Sequence, residues 1–286
     1  MFNQSHMKLT LIPTGYFKLD GGAMFGIVPK KLWERQNPPD ANNLCTWALR
    51  CLLIETGDHK ILVDCGIGNK QDKKWRSFFE PHGSDTLEGS LLSAGLRPEE
   101  ITDVFLTHLH FDHCGGAVKL DATGKPVPTF PNAVHWSNGQ HWRWAMNPNE
   151  REKASFLKEN FVPLKEAGLV EFLDAQQGLL PWLPGLSVQF VHGHTEAMMA
   201  LHIDTGDKYY VYCADLMPSS FHINMPWVMA YDIRPLITLE EKEALLTNAA
   251  EKNWNLIFEH DPVGACGTVR RDERGRIVLD RKTDEL

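Results

Sequence analysis

A chain of 286 residues is long enough for one large domain or two small ones. With 43% hydrophobic and 23% charged residues it has the composition of a folded globular protein, not a disordered one. Lys and Arg number 29 against 37 Asp and Glu, a net charge of −8 that argues against a nucleic acid or an anionic membrane as the main partner.

Near the N-terminus, Lys8, Lys18 and Asp20 interrupt any signal-peptide pattern. Met1–His6 reads as a leader or a tag remnant, with Met7 an alternative start. A Gly-rich segment (Gly21, Gly22, Gly26) suggests an N-terminal hairpin over about residues 15–35. Apolar, β-rich runs then recur at 48–54, 60–63, 103–106, 133–135, 186–191, 209–213 and 256–258, most of them bounded by Gly, Asp or Asn. Helical patterns separate some of them. Residues 86–94 carry Leu87, Leu91 and Leu92 on one face before Gly95; residues 150–167 form a charged stretch broken near Pro163; Thr238-x-x-Glu241 reads as a capping box opening a helix through about Lys252. No stretch approaches the roughly 18 apolar residues that span a bilayer. The six cysteines (45, 51, 65, 114, 213, 266) form no C-x-x-C pair and read as reduced, mostly buried thiols, so the expected compartment is the cytoplasm. Mixed strands and helices without a linker give one domain over residues 1–286, with an insertion over about 136–182 rich in Trp.

The informative stretch is Thr107-His108-Leu109-His110-Phe111-Asp112-His113-Cys114-Gly115-Gly116, which leaves an apolar strand. Packing alone does not explain four ligand-capable side chains in six residues. Imidazole with carboxylate suits Zn²⁺, and also Fe, Mn or Co, while the lack of thiolate pairs argues against a structural zinc knuckle. In an extended chain His108 and His110 point to one side; a turn after His110 brings Asp112 and His113 to a second position nearby, which hints at two metals. The same topology repeats downstream, with a ligand-capable residue at the end of each of three strands: His194, Asp215 and His260.

This set, His108-x-His110-x-Asp112-His113 followed by His194, Asp215 and His260, resembles the metallo-β-lactamase superfamily of dinuclear hydrolases. The resemblance implies an αββα sandwich of two mixed sheets flanked by helices. It also implies two Zn²⁺ ions, one held by His108, His110 and His194 and the other by Asp112, His113 and His260, with Asp215 bridging. Asp64 matches an early strand-end Asp that orients a ligand histidine. The segments Asp20–Lys30, Ala214–Pro218 and Trp227–Asp232 are similar to the quorum-quenching lactonase branch, which opens the ring of N-acyl homoserine lactones. Several lactonases carry a Tyr three residues after the bridging Asp; here that position is Pro218, leaving His222 or Tyr231 to supply a polar group.

Two metals sharing one oxygen would make hydroxide available at neutral pH for attack on the acyl carbonyl. Asp112 is the candidate proton carrier to the leaving oxygen, His222 a candidate donor to the substrate, and Met24 and Phe25 an apolar wall for an acyl tail. No G-x-S-x-G elbow or nucleotide loop competes. The expected partner is a small lactone or ester, with no nucleic acid and no membrane; the Trp-rich insertion reads as a cap on the pocket, as a subunit interface of a homodimer or as simple core. The alternatives are a phosphotriesterase or broad esterase on the same site, and a non-catalytic metal-binding regulator.

Overall fold

The computed structural model describes residues 7–286, so the expectation for Met1–His6 falls outside it. Along the chain run β1 (Lys8–Asp20), α1 (Gly21–Phe25), α2 (Lys30–Trp33), β2 (Leu44–Thr56), β3 (His59–Val63), α3 (Lys73–Phe79), α4 (Leu87–Ser93), β4 (Asp103–Phe105) and α5 (Phe111–Cys114). Next come β5 (Val118–Leu120), β6 (Pro126–Pro128), β7 (Val134–Asn138), α6 (Gly139–Met146), α7 (Val162–Glu166), β8 (Val170–Leu173) and β9 (Leu179–Leu183). The chain ends with β10 (Leu186–Val191), β11 (Met198–Asp204), β12 (Tyr209–Tyr212), α8 (Pro235–Lys252), β13 (Asn255–Ile257), β14 (Cys266–Arg271) and β15 (Ile277–Thr283). Two compact units emerge. One contains the residues up to Gly15, Leu49–Trp75 and Gly83–Ala175; the other contains Tyr16–Ala48, Arg76–His82 and Gln176–Leu286.

The first unit is built on the sheet β1-β2-β3-β4-β7-β8, whose strands β1 and β2 run on into the second unit at Tyr16 and Ala48. Strands β2 and β3 form a hairpin with Gly57 at φ 56°, the left-handed conformation that a tight two-residue loop requires at its first position. From β3 onward the pairing is parallel, so successive strands deliver their C-terminal ends to the same sheet edge. Alternation along the strands sorts the side chains. Cys51, Leu53, Leu62 and Val104 join Leu91 of α4, Ala145 of α6 and Leu164 of α7 in one core, and Leu52, Ile54, Ile61 and Val63 lie buried on the opposite face. Each large aliphatic side chain buried there contributes about 2 kcal/mol of transfer free energy.

The second unit is built on the sheet β15-β14-β13-β12-β11-β10-β9, antiparallel except for the β12–β13 pair. Strand β11 is buried from Met198 to Ile203, and α8 covers β14 and β15 with Leu245, Leu246 and Ala249 among its buried residues. Both sheets are thus mixed or antiparallel and flanked by helices, the α/β class expected. No helix among the described residues is long and apolar enough to cross a membrane.

Three local expectations need correction. The segment after Asp20 is no hairpin: the Asp20 carboxylate accepts from Ala23 N at 2.9 Å and caps α1, so the glycines open a helix. Residues 150–161 are turns and one short 3₁₀ helix, helix forms only over Val162–Glu166, and Pro163 sits in the first turn of α7, where its missing N–H costs nothing. Helix α8 starts at Pro235, one turn ahead of Thr238, and Glu241 does not cap it; its carboxylate accepts from His192 N at 2.6 Å and Gly193 N at 3.0 Å.

Candidate metal centre

In the first unit β4 runs out at Phe105 into an extended stretch. There His108 and His110 alternate with Leu109, which is buried in the core. The alternation sets His108 Nε2 3.1 Å from His110 Nδ1. Two imidazole nitrogens each about 2.0–2.1 Å from one tetrahedral zinc would stand about 3.3 Å apart, so this spacing is that of two ligands on one ion. One turn of α5 then presents Asp112 and His113, with Asp112 Oδ2 3.8 Å from His113 Nε2. The glycines after this turn are obligatory: a Cβ on Gly115 would lie 2.2 Å from Ile67 O, and one on Gly116 2.1 Å from Cys65 O.

Hydrogen bonds fix which nitrogen each imidazole offers. Asp64 stands at the end of β3 with φ 58°, a strained backbone for a non-glycine residue. Its Oδ1 accepts from Thr107 N at 2.8 Å; its Oδ2 accepts from Thr107 Oγ1 at 2.7 Å and from His113 Nδ1 at 2.9 Å. His113 is left with its lone pair on Nε2. Because the Thr107 hydroxyl proton goes to Asp64, its oxygen accepts from His108 Nδ1 at 3.1 Å, so His108 also offers Nε2.

In the second unit the donors come from three strand ends. After β10, Glu241 holds the backbone of His192 and Gly193, and a Cβ on Gly193 would collide with Thr238 Oγ1 at 2.3 Å. Asp215 follows β12, aimed by Ala214 at φ 46°. His260 follows β13, its Nδ1 donating to Ala48 O at 2.8 Å. The Asp215 carboxylate splits between the two imidazoles, with Oδ2 3.2 Å from His194 Nε2 and Oδ1 3.3 Å from His260 Nε2. That is the placement of a bridging carboxylate. His194 Nδ1 donates to Asp232 Oδ1 at 2.8 Å. Burial works to strip the proton from His194, but the charges and hydrogen bonds of Asp215 and Asp232 outweigh it and raise its pKa to about 10. Burial in turn pushes the Asp232 carboxyl up. Two buried carboxylates around one imidazole call for positive charge, which the His194 proton supplies without a metal and a divalent cation would supply in its place.

The expected substrate contacts fare differently. Met24 and Phe25 belong to the core of the second unit, 1% and 0% exposed, with Phe25 stacked on Trp33 and on His222. Neither presents a wall to solvent in this conformation. His222 is buried as well, and both its nitrogens are engaged, Nδ1 with Ser219 Oγ at 2.7 Å and Nε2 with Met24 O at 2.9 Å. Burial lowers its pKa to about 4. It ties α1 to the 220–223 turn as a neutral core residue, not as a donor aimed outward. Tyr231 is the exception, 39% exposed in the loop that leads into α8. Sequence reasoning missed the orienting roles of Asp232 and Glu241. Asp232 lay within a motif already singled out, but its contact with His194 is tertiary and leaves no spacing to read.

The donor set therefore fits divalent metal ions: imidazoles each held through one ring nitrogen, a split carboxylate and carboxylate partners behind two of the histidines. The family model of the metallo-beta-lactamase superfamily matches residues 50–260, and the chain belongs to that superfamily as a hydrolase. Among its relatives are the N-acyl homoserine lactonase AiiA of Bacillus thuringiensis subsp. kurstaki and a probable metallo-hydrolase of Mycobacterium tuberculosis. The first is 24% identical over 89% of this chain and 93% of the relative; the second is 24% identical over 68% and 66%. Of solved structures, a probable metal-dependent hydrolase from Staphylococcus aureus superposes with a TM-score of 0.86 at 27% identity, covering 100% of both chains. AidC, a dizinc quorum-quenching lactonase in complex with a product N-acyl-homoserine, superposes with a TM-score of 0.77 at 21% identity, covering 100% of this chain and 97% of that one.

Proposed function

We propose that the seven side chains together hold two zinc ions within one catalytic domain, and that the protein opens the lactone ring of N-acyl homoserine lactones. His108, His110 and His194 take one ion, Asp112, His113 and His260 the other, and Asp215 bridges. The observation that carries this reading is the split of Asp215, one oxygen beside His194 and the other beside His260. The curated relatives that are N-acyl homoserine lactonases over nearly the full chain support the substrate class. Two bound divalent ions supply Lewis acidity and bring the pKa of water toward neutrality.

The chain's own residues do the rest. Asp64 and Asp232 engage Nδ1 of His113 and His194, so that Nε2 is the nitrogen each presents to a metal. Asp112 carries a proton to the ring oxygen as the acyl–oxygen bond breaks. The balance is one water added per ring opened: oxygen to the acyl carbon, one proton to the leaving oxygen and one released from the new carboxylic acid. Tyr231 is the polar contact to the substrate, standing in for the Tyr that Pro218 replaces. All six cysteines are buried, which fits a cytoplasmic enzyme.

The test is a hydrolysis panel of lactones, phosphotriesters, thioesters and β-lactams with the zinc-loaded protein. Lactone turnover giving an acid that re-closes on acidification supports the reading. Release of free fatty acid overturns it, and turnover of a phosphotriester without any lactone turnover replaces it with a phosphotriesterase.

A further inference from the structure

We propose that Glu152 is the positioning residue for His110, and that the segment following α6 sets the geometry of the ligand loop through it. The inference rests on the metal-centre reading above. Every other ligand histidine offers Nε2, because its Nδ1 is engaged by Thr107, Asp64, Asp232 or the Ala48 carbonyl. His110 is turned the other way: its Nδ1 faces His108 Nε2 at 3.1 Å, so it can share an ion with His108 only with its own proton on Nε2. Glu152 Oε1 stands 3.9 Å from that Nε2, with both side chains less than a tenth exposed. A buried negative charge there favours the proton on Nε2 and leaves the lone pair on Nδ1, toward the metal.

Glu152 is itself held. Trp144 Nε1 donates to its Oε2 at 2.8 Å, Asn149 Nδ2 donates to the same oxygen, and Glu152 N donates to Asn149 Oδ1 at 3.1 Å. The same segment grips the ligand loop at three further points. Ser155 O accepts from Phe111 N at 3.0 Å, His141 Nε2 accepts from Leu109 N at 2.8 Å, and the Phe156 ring lies 4.7 Å from that of His110. A Trp-rich stretch with no ligand of its own thus orients a ligand whose choice of nitrogen differs from the rest.

The experiment compares wild type, Glu152→Ala, Glu152→Gln and Trp144→Phe as full-length protein. It measures zinc stoichiometry, zinc affinity by chelator competition, thermal stability without metal, and activity at limiting and excess zinc. Glu152→Ala is expected to lose roughly 10- to 100-fold in affinity for one of two ions, the range for an orienting partner of a metal-bound histidine. Excess zinc should restore most of its activity; Glu152→Gln and Trp144→Phe should show smaller losses in the same direction. If Glu152→Ala does not fold, Glu152→Gln decides, because it keeps the shape and removes the charge. Folded variants that retain wild-type affinity within twofold overturn the role of Glu152 alone. Wild type that binds fewer than two ions overturns the dinuclear reading instead.

Discussion

In the first unit four donors come from one continuous stretch, His108 to His113, while in the second three donors arrive from the ends of β10, β12 and β13. The continuous set is positioned by local geometry: an extended stretch, one helical turn, and two glycines that let the turn pack against the backbone of Cys65 and Ile67. The dispersed set depends on tertiary partners. Asp232 and the Ala48 carbonyl come from far along the chain to hold His194 and His260, and Glu241 holds the backbone of the two residues ahead of His194. The two solutions converge on the same device, since His113 has Asp64 behind it and His194 has Asp232.

That convergence can be broken one side at a time. Asp64→Asn and Asp232→Asn each replace an orienting carboxylate with a neutral amide of the same shape. Each should weaken metal binding by roughly 10- to 100-fold. Asp64→Asn should cost more fold stability as well, because Asp64 also ties down Thr107 through two further bonds while sitting at positive φ. Metal affinity by chelator competition and unfolding of the metal-free forms check this; equal stability losses would show that the two partners do the same work.

A smaller effect separates liganding histidines from core histidines. His135 in the first unit and His222 in the second are each pushed down to about pKa 4 by burial. The unfolded chain protonates such groups near 6.5, so between these values it binds more protons than the folded protein, and stability falls as pH drops from 6.5 toward 4. Each is expected to contribute up to about 2–3 kcal/mol of that loss by pH 4.5. Urea unfolding of metal-free His135→Leu and His222→Leu at pH 7 and 4.5 should show a flatter pH dependence than wild type. An unchanged slope would mean that these imidazoles take up protons alike in the folded and unfolded chain.

What could be read from the sequence follows the same division. The first donor set announces itself through spacing, and the strand ends bearing His194, Asp215 and His260 are legible because apolar runs stop just before them. The partners are not legible, because a hydrogen bond between residues 194 and 232 imposes no periodicity on either segment. Glu241 shows how an honest local signal misleads: Thr238-x-x-Glu241 has the residue types of a capping box, yet tertiary demand from His192 and Gly193 takes the carboxylate. Met24, Phe25 and His222 mislead in the opposite sense. Their residue types suit a binding wall, but aromatic stacking and two hydrogen bonds to His222 draw them into the core.

The proposed dinuclear centre requires the contiguous and the dispersed donors to share one pair of metals through Asp215. Cobalt(II) substitution tests it most directly, with metal content and electron paramagnetic resonance read on wild type and on Asp215→Ala. Two ions per chain with a spin-coupled signal in wild type, and loss of both the coupling and the activity in Asp215→Ala, is the predicted result. A single ion per chain, or two uncoupled ions with Asp215→Ala fully loaded and active, would contradict it.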